Sequence, residues 1–175
     1  MTGKYQDRTD AKLRYARLHL NEILHYASPT RGEDFELAHV ESLLFHVVGA
    51  KDSLLQEIND AYGRLLQPHK VNEESLKRTL TKRNTRCEAL DKLLELESDD
   101  ESWLAQTIEL RNQGTHRCHI ARSIYLGGEE DGQRYFINPR TSQEIRADEG
   151  LFLADCIDDM TLLVRDLRLM LPAGA

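Results

Sequence analysis

The chain has few of the residues on which small disulfide-linked or β-rich folds depend. Its 175 residues include 3 cysteines, 4 prolines and 10 glycines, and aromatic residues make up 6%. Cys87, Cys118 and Cys156 are odd in number and form no Cys-x-x-Cys pair, so the sequence predicts reduced thiols rather than a disulfide framework. Residues 1–17 show no secretory leader, and a cytoplasmic protein is expected.

Long apolar runs and an excess of positive charge are also missing. The longest apolar runs, at residues 43–50 and 160–164, are too short to cross a bilayer, so no membrane partner is expected. The formal net charge is −7, from 23 basic and 30 acidic residues. This net charge argues against broad, non-specific binding of nucleic acid, which needs a positive surface. It is compatible with a local basic site.

What the sequence does contain is the period of amphipathic helices, with apolar residues three and four positions apart. Asn72, followed by acidic residues, is a start signal for one helix, and Asp or Ser before Trp103 is a start signal for the next. The pattern predicts five helices, at about residues 10–27, 33–66, 73–97, 103–125 and 147–171.

A short β-hairpin is predicted between the last two helices. Residues 134–137 have strand character, 138–141 carry a turn signal, and 142–145 are expected to return as a second strand. The simplest architecture is therefore all-α, an antiparallel bundle of about five helices with a small β-hairpin before the last helix. No repeat or low-complexity linker divides the chain, so residues 1–175 are predicted to form a single domain.

The fourth predicted helix carries the residues of greatest chemical interest, in the segment Arg111-Asn112-Gln113-Gly114-Thr115-His116. The apolar stripe of this helix begins at Leu104 and then turns polar, continuing through Arg111, Thr115, His119 and Arg122. Charged side chains at inward positions need partners or a ligand. The pattern therefore predicts a lined groove or a seam between subunits.

Arginine and histidine together suit phosphodiester chemistry. The guanidinium stays protonated and fits phosphate oxygens, whereas an imidazole near its reference pKa can accept and return a proton. Asn112 and His116 are four residues apart and share a helix face, and a bend at Gly114 would bring Arg111 closer to His116. Glycine-rich phosphate loops, HExxH motifs and a Ser-His-Asp order do not occur in the sequence, so other enzyme classes lack support.

The motif Arg111-Asn112-x-x-x-His116, on a late helix of a helical bundle, resembles that of the HEPN superfamily. The resemblance covers the motif and the all-helical outline of the chain. It implies a homodimer in which two motifs share a groove, acting as a metal-independent ribonuclease without cofactors. It also implies a toxin or defence-type effector, for which a cognate antitoxin is an expected partner.

The same resemblance assigns a role to each motif residue. His116 would be the general base on a ribose 2′-hydroxyl, Arg111 would stabilise the charge on the pentacoordinate phosphorus, and Asn112 would orient either group. The expected product of single-stranded RNA is a 2′,3′-cyclic phosphate end.

Further basic residues are predicted to bind the RNA backbone. They are concentrated on the third predicted helix, with two more positions after the motif: Lys77, Lys82, Arg83, Arg86, His119 and Arg122. The alternative interpretation of the basic run is a solvated helix face, since no aromatic residues are interleaved for base stacking.

Structural alternatives stand beside the ribonuclease hypothesis. Arg111 would then form an ion pair with an inward carboxylate of the second helix, Asp52 or Glu57, and hold the bundle in register. His39 and His46 on that helix are interpreted as packing residues, and no metal site is predicted because the histidines near the motif lack a third ligand. The alternative function is a non-catalytic nucleotide- or protein-binding bundle, or a purely structural dimer.

Overall fold

The computed structural model describes residues 3–26, 32–116, 119–145 and 147–172. In this part of the chain, a 3₁₀ turn at Pro68–Lys70 links the second and third of six α-helices. The elements are α1 (Lys4–Tyr26), α2 (Gly32–Ala61), α3 (Glu73–Lys82), α4 (Glu88–Ser98), α5 (Trp103–His116), β1 (Arg122–Ile124), β2 (Arg134–Phe136) and α6 (Glu149–Leu169). The prediction of a mainly α-helical protein with a small hairpin before the last helix is confirmed.

The central element is α2, which packs against α1, α5 and α6. Its core-facing side chains are almost fully buried, and they include Val40, Leu43, Leu44, Val47, Leu54, Leu55 and Ile58. Burying one such aliphatic side chain contributes about 2 kcal/mol, so this long stripe supplies much of the driving force for folding. Among the described helices, none combines the length and the apolar character that crossing a membrane requires.

The third predicted helix is two helices in the structure. Asn84 takes the left-handed conformation with a φ of 52°, which asparagine tolerates better than most residues, and it ends the run that begins with α3. Cys87 then starts α4 by accepting a hydrogen bond from the amide of Leu90. Leucines from both helices are buried in the core, at Leu76, Leu80, Leu90 and Leu93.

Capping side chains start two of the helices where the sequence places them. The side-chain oxygen of Asn72 accepts a hydrogen bond of 2.9 Å from the amide of Ser75 at the start of α3. The hydroxyl oxygen of Ser102 accepts one of 3.1 Å from the amide of Ala105 at the start of α5. Each cap satisfies an amide that has no partner within its helix.

The helix that carries the motif is shorter than predicted. It ends at His116 rather than near residue 125, and β1 pairs antiparallel with β2, so that Arg122 lies opposite Phe136. The predicted return strand at 142–145 is reduced to one bridge, between Ile137 and Glu144. The expectation that His119 and Arg122 extend the helical stripe of Arg111 is therefore wrong.

The physical reason is the strand preference of the residues that follow the motif. Ile124 and Tyr125 favour extended backbone, and Gly127 and Gly128, with φ of 85° and 82°, provide the left-handed turn that a helix cannot contain. Pairing β1 with β2 also helps to bury Phe136, whose side chain has no exposed surface.

A buried ion pair joins three helices near the end of α2. Glu57, which is 4% exposed, accepts hydrogen bonds of 2.8 and 3.0 Å from the guanidinium of Arg168 on α6. Arg168 also donates to Asp10 of α1 at 2.8 Å, and the hydroxyl of Thr9 donates to Glu57. The pair therefore fixes the relative positions of α1, α2 and α6 at this end of the bundle.

Candidate functional site

The motif lies at the end of the bundle where α2 and α6 begin. A Cβ atom added to Gly114 would stand 3.2 Å from Cγ of Glu41 on α2, closer than most Cβ contacts, so α5 approaches α2 closely at this glycine. The side-chain oxygen of Gln113 accepts a hydrogen bond of 3.4 Å from the amide of Ala121. We call this region the motif end; it comprises the last turn of α5, the hairpin, and the first turns of α2 and α6.

Packing between α5 and α6 shows on which side of α5 Arg111 lies. Thr107 Oγ1 and Cys156 Sγ lie 3.1 Å apart in the interface of the two helices, and both residues are buried. Arg111 follows Thr107 by one helical turn and therefore lies on the same side of α5. The burial of Cys156 raises the pKa of its thiol to about 12, which makes this thiol chemically inert near neutral pH.

Arg111 is half-buried, and its Nε atom is buried without a hydrogen-bond partner in the described part of the chain. None of the described carboxylates forms an ion pair with it. The other described arginines that are not exposed all have carboxylate partners within 4 Å, namely Arg122, Arg134 and Arg168. Among the described arginines that are not exposed, Arg111 is therefore the one without a carboxylate partner.

The structural alternative for Arg111, an ion pair with Asp52 or Glu57, is wrong. Glu57 is occupied by Arg168, and Asp52 is an exposed residue 3.5 Å from Lys51. Both carboxylates lie along α2 beyond the level that the last turn of α5 reaches, since Gly114 is beside Glu41. The register of α5 on α2 thus separates the guanidinium from these acids.

The structure describes the side chain of Asn112 but not that of His116. Asn112 is half-buried, and its side chain makes no hydrogen bond within the described residues. His116 is the last residue of α5, but its side chain lies outside the described part of the chain, as do Arg117 and Cys118. The convergence of Arg111, Asn112 and His116 on one phosphate stays a prediction.

A cluster of four charged residues lies at the same end of the bundle. Arg122 Nη2 is 2.7 Å from Glu149 Oε1, Arg122 Nη1 is 3.6 Å from Glu36 Oε1, and Arg134 donates to Glu36. The guanidinium of Arg122 also lies 5.6 Å from the ring centre of Phe136. The cluster fastens both strands of the hairpin to the first turns of α2 and α6.

Sequence reasoning missed three members of this charged cluster, Glu36, Arg134 and Glu149. No local signal identifies them, because each lies in an ordinary amphipathic or strand pattern and their pairing joins residues more than 25 positions apart. Only the meeting of the hairpin with two helix starts brings these residues together.

Burial raises the pKa of the Glu149 carboxyl to about 7, because desolvation outweighs the attraction of Arg122 and Arg134. The neighbouring charges of Glu36 and Asp148 act in the same direction as burial. The Oε2 atom of Glu149 and the Nε atom of Arg122 are both buried without a hydrogen-bond partner in the described chain. The motif end therefore contains a carboxyl that holds its proton close to neutral pH.

The predicted RNA-binding residues fall into separate places. Those of the basic run, Lys77, Lys82, Arg83 and Arg86, are exposed on α3 and the segment after it. The hydroxyl of Tyr62 donates to the carbonyl of Arg86 at 3.3 Å, which places this run near the C-terminal end of α2. At 1.5 Å per residue, that end is about 30 Å from Glu41 and the motif.

The two remaining RNA-binding candidates differ from each other. His119 is exposed close to the motif, where a phosphate could reach it. The side chain of Arg122 is 7% exposed and is held by Glu149 and Glu36. Arg122 is thus a structural residue, and its assignment to an RNA-binding surface is not supported.

The histidines of α2 pack against aromatic and histidine rings of α1 and α2. The His39 ring lies 4.4 Å from that of Phe35, and its Nδ1 is 2.9 Å from Nδ1 of His19, while the His46 ring stacks on that of His19 at 5.5 Å. Their interpretation as packing residues is confirmed. Among the described residues, no three His, Cys, Asp or Glu side chains are grouped so that they could bind a metal ion.

Comparison with known proteins identifies a family but indicates no reaction, substrate or ligand. Residues 1–171 match DUF6586, which is described as a family of unknown function. No curated protein and no solved structure matches the chain. The function has to be inferred from the residues of the motif end.

The raised pKa of Glu149 predicts a pH-dependent stability. The folded protein keeps this proton up to about pH 7, whereas the unfolded chain releases it near 4.5, so stability is lost as pH rises through this window. Relative to Glu149→Gln, the free energy of unfolding of the parent should fall by about 3 kcal/mol between pH 4.5 and pH 8, because each unit of pKa shift corresponds to about 1.4 kcal/mol. Urea denaturation across this range measures the free energy of unfolding of the parent, of Glu149→Gln and of Glu95→Gln, an exposed control. If the parent does not lose stability relative to Glu149→Gln as the pH rises, the raised pKa of Glu149 is contradicted.

Proposed function

This chain belongs to DUF6586, a family of unknown function, and we propose that it is a cytoplasmic, homodimeric ribonuclease that cleaves single-stranded RNA without a metal ion. The proposal rests on the half-buried side chain of Arg111, whose buried Nε has no hydrogen-bond partner and which has no carboxylate partner in the described chain. The proposed site consists of Arg111, Asn112 and His116 at the motif end.

A guanidinium that is partly shielded from water and has no partner destabilises the folded protein, unless an anion accepts its hydrogen bonds. Phosphate oxygens fit the planar fork of arginine and would supply this missing charge. In the charged cluster, Glu36 and Glu149 pair with Arg122 and Arg134, so neither of these carboxylates pairs with Arg111. Arg111 is left available for a ligand.

The proposed reaction uses the three motif residues in distinct roles. His116 removes the proton of the ribose 2′-hydroxyl, and the 2′-oxygen then attacks the neighbouring phosphorus. Arg111 stabilises the negative charge that accumulates on the phosphoryl oxygens, and Asn112 orients either group. The bond to the 5′-oxygen breaks, this oxygen takes up a proton from solvent, and a 2′,3′-cyclic phosphate end remains.

RNA that reaches the site would extend along the protein. His119 is the nearest proposed contact, and the exposed basic run on α3 is the proposed distant track, about 30 Å away along α2. Toxin activity of this kind would require a cognate antitoxin, and covering the motif end would be sufficient for inhibition.

The second candidate function is binding without turnover. Arg111 and Asn112 alone provide a cation and an amide, which are enough to hold a phosphate group of a nucleotide. Catalysis additionally needs a base, and that role rests on His116 through the resemblance. The two functions therefore differ in the effect of removing the imidazole.

The ribonuclease proposal predicts cleavage of single-stranded RNA by the purified protein in the presence of a chelator. His116→Ala and Arg111→Ala should each lower the rate about 100-fold or more, because they remove the base and the charge stabilisation. Arg14→Ala, at an exposed position on α1, should leave the rate unchanged. Product ends are identified by mass spectrometry as cyclic phosphates.

Absence of cleavage by the parent protein at high enzyme concentration would reject the ribonuclease function and leave the binding function. Cleavage that persists in both motif variants would also reject it, since the activity would then come from another site or another protein.

A matched pair of arginine substitutions tests whether Arg111 serves the fold or a ligand. Arg111→Ala should change the free energy of unfolding by no more than about 1 kcal/mol, because no described carboxylate loses its partner. Arg122→Ala should lower it by about 3 kcal/mol, since the buried carboxyl of Glu149 then lacks its closest cation. Urea denaturation at pH 8 measures both; equal losses for the two variants would show that Arg111 is structural.

A further inference from the structure

The outer face of α6 carries a row of exposed side chains that repeats every three or four residues. We call this row the α6 stripe; it consists of Leu151, Asp155, Asp158, Leu162, Arg165 and Leu169. Its three leucines are 64%, 46% and 81% exposed, although leucine is usually buried. Cys156, Met160 and Val164 are buried on the opposite side of the helix, so the α6 stripe contributes nothing to the core of its own subunit.

The α6 stripe is complementary to itself when two copies of the helix lie antiparallel. With a two-fold axis at the level of Met160, Leu151 faces Leu169 of the partner subunit and Asp155 faces Arg165 of the partner subunit. Asp158 then lies beside Leu162 of the partner subunit. Two-fold symmetry repeats each contact, which is the property of an isologous dimer interface.

Charges within one subunit leave the acidic part of the α6 stripe incompletely neutralised. Asp158 is 2.7 Å from Arg17 of α1, but Asp155 has no cation partner among the described residues. Burial and the nearby charges of Asp155 and Asp158 raise the pKa of Asp159 on the same helical turn. Arg165 lies at the other end of the α6 stripe, and its one carboxylate partner among the described residues is the adjacent Asp166, at 3.2 Å.

We propose that two copies of this chain associate through the α6 stripe as an antiparallel homodimer. The leucine pairs supply apolar contact at both ends, and the pairing of Asp155 with Arg165 of the partner subunit selects the antiparallel register. The α6 stripe is about 27 Å long, which is short for a stable interface, so we expect a dimer that dissociates in the micromolar range.

The α6 dimer specifies an interface for the homodimer that the proposed function includes, and the α6 stripe contains none of the proposed catalytic residues. The α6 stripe faces away from Cys156 and α5, so each Arg111 stays outside the interface. This arrangement differs from the shared groove that the resemblance implies. Dimerisation and cleavage can therefore succeed or fail independently.

Charge reversal tests the interface. Sedimentation velocity across the micromolar range should show a dimer of the parent chain. Asp155→Arg and Arg165→Asp should each raise the dissociation constant at least about tenfold, because each places like charges opposite one another twice. The double variant exchanges the two charges and should restore the dimer, while Glu95→Arg, an exposed reversal on α4, should have no effect.

All substituted positions are exposed, so circular dichroism should show the parent fold in every variant. A parent chain that is monomeric throughout the range would overturn the proposal. So would a dimer that survives either single reversal, or a folded double variant that stays monomeric.

Discussion

A guanidinium that leaves water needs an anion, and this constraint organises both ends of the bundle. At the C-terminal end of α2, Arg168 reaches Glu57 and fixes three helices together. At the motif end, Arg122 and Arg134 reach Glu149 and Glu36 and fasten the hairpin to two helix starts. Among the described arginines that are not exposed, Arg111 alone lacks a carboxylate partner, and the proposed function rests on this departure.

Two features of the motif end bear on the proposed phosphate site. The paired arginines and carboxylates join the hairpin to the starts of α2 and α6, while Arg111 has no carboxylate partner in the described part of the chain. Burial raises the pKa of the Glu149 carboxyl to about 7, so the local charge of this region depends on pH near neutrality. The net negative charge of the whole protein is compatible with RNA binding if positive charge is confined to such a site.

The helices were predictable because their apolar period is local information. The long apolar stripe of α2 is an example. The helix starts at Asn72 and Ser102 and the motif were also predictable, since each depends on residues that are close together in the sequence. The break at Asn84 was not predictable, because the surrounding polar residues suit a helix surface as well as a turn. Ion pairs between residues that are distant in the sequence were also not predictable. Arg122, for example, was predicted to bind RNA, but in the structure it pairs with Glu36 and Glu149.

The central claim, that Arg111 offers its guanidinium to a phosphate, is tested most directly by NMR of the arginine Nε–Hε groups. The signal of Arg111 is identified by its loss in Arg111→Lys. Titration with single-stranded DNA, whose missing 2′-hydroxyl prevents cleavage, should shift this signal saturably and leave the signals of Arg122 and Arg168 in place. An Arg111 signal that does not move at saturating oligonucleotide, or that moves no more than those of the paired arginines, would contradict the account.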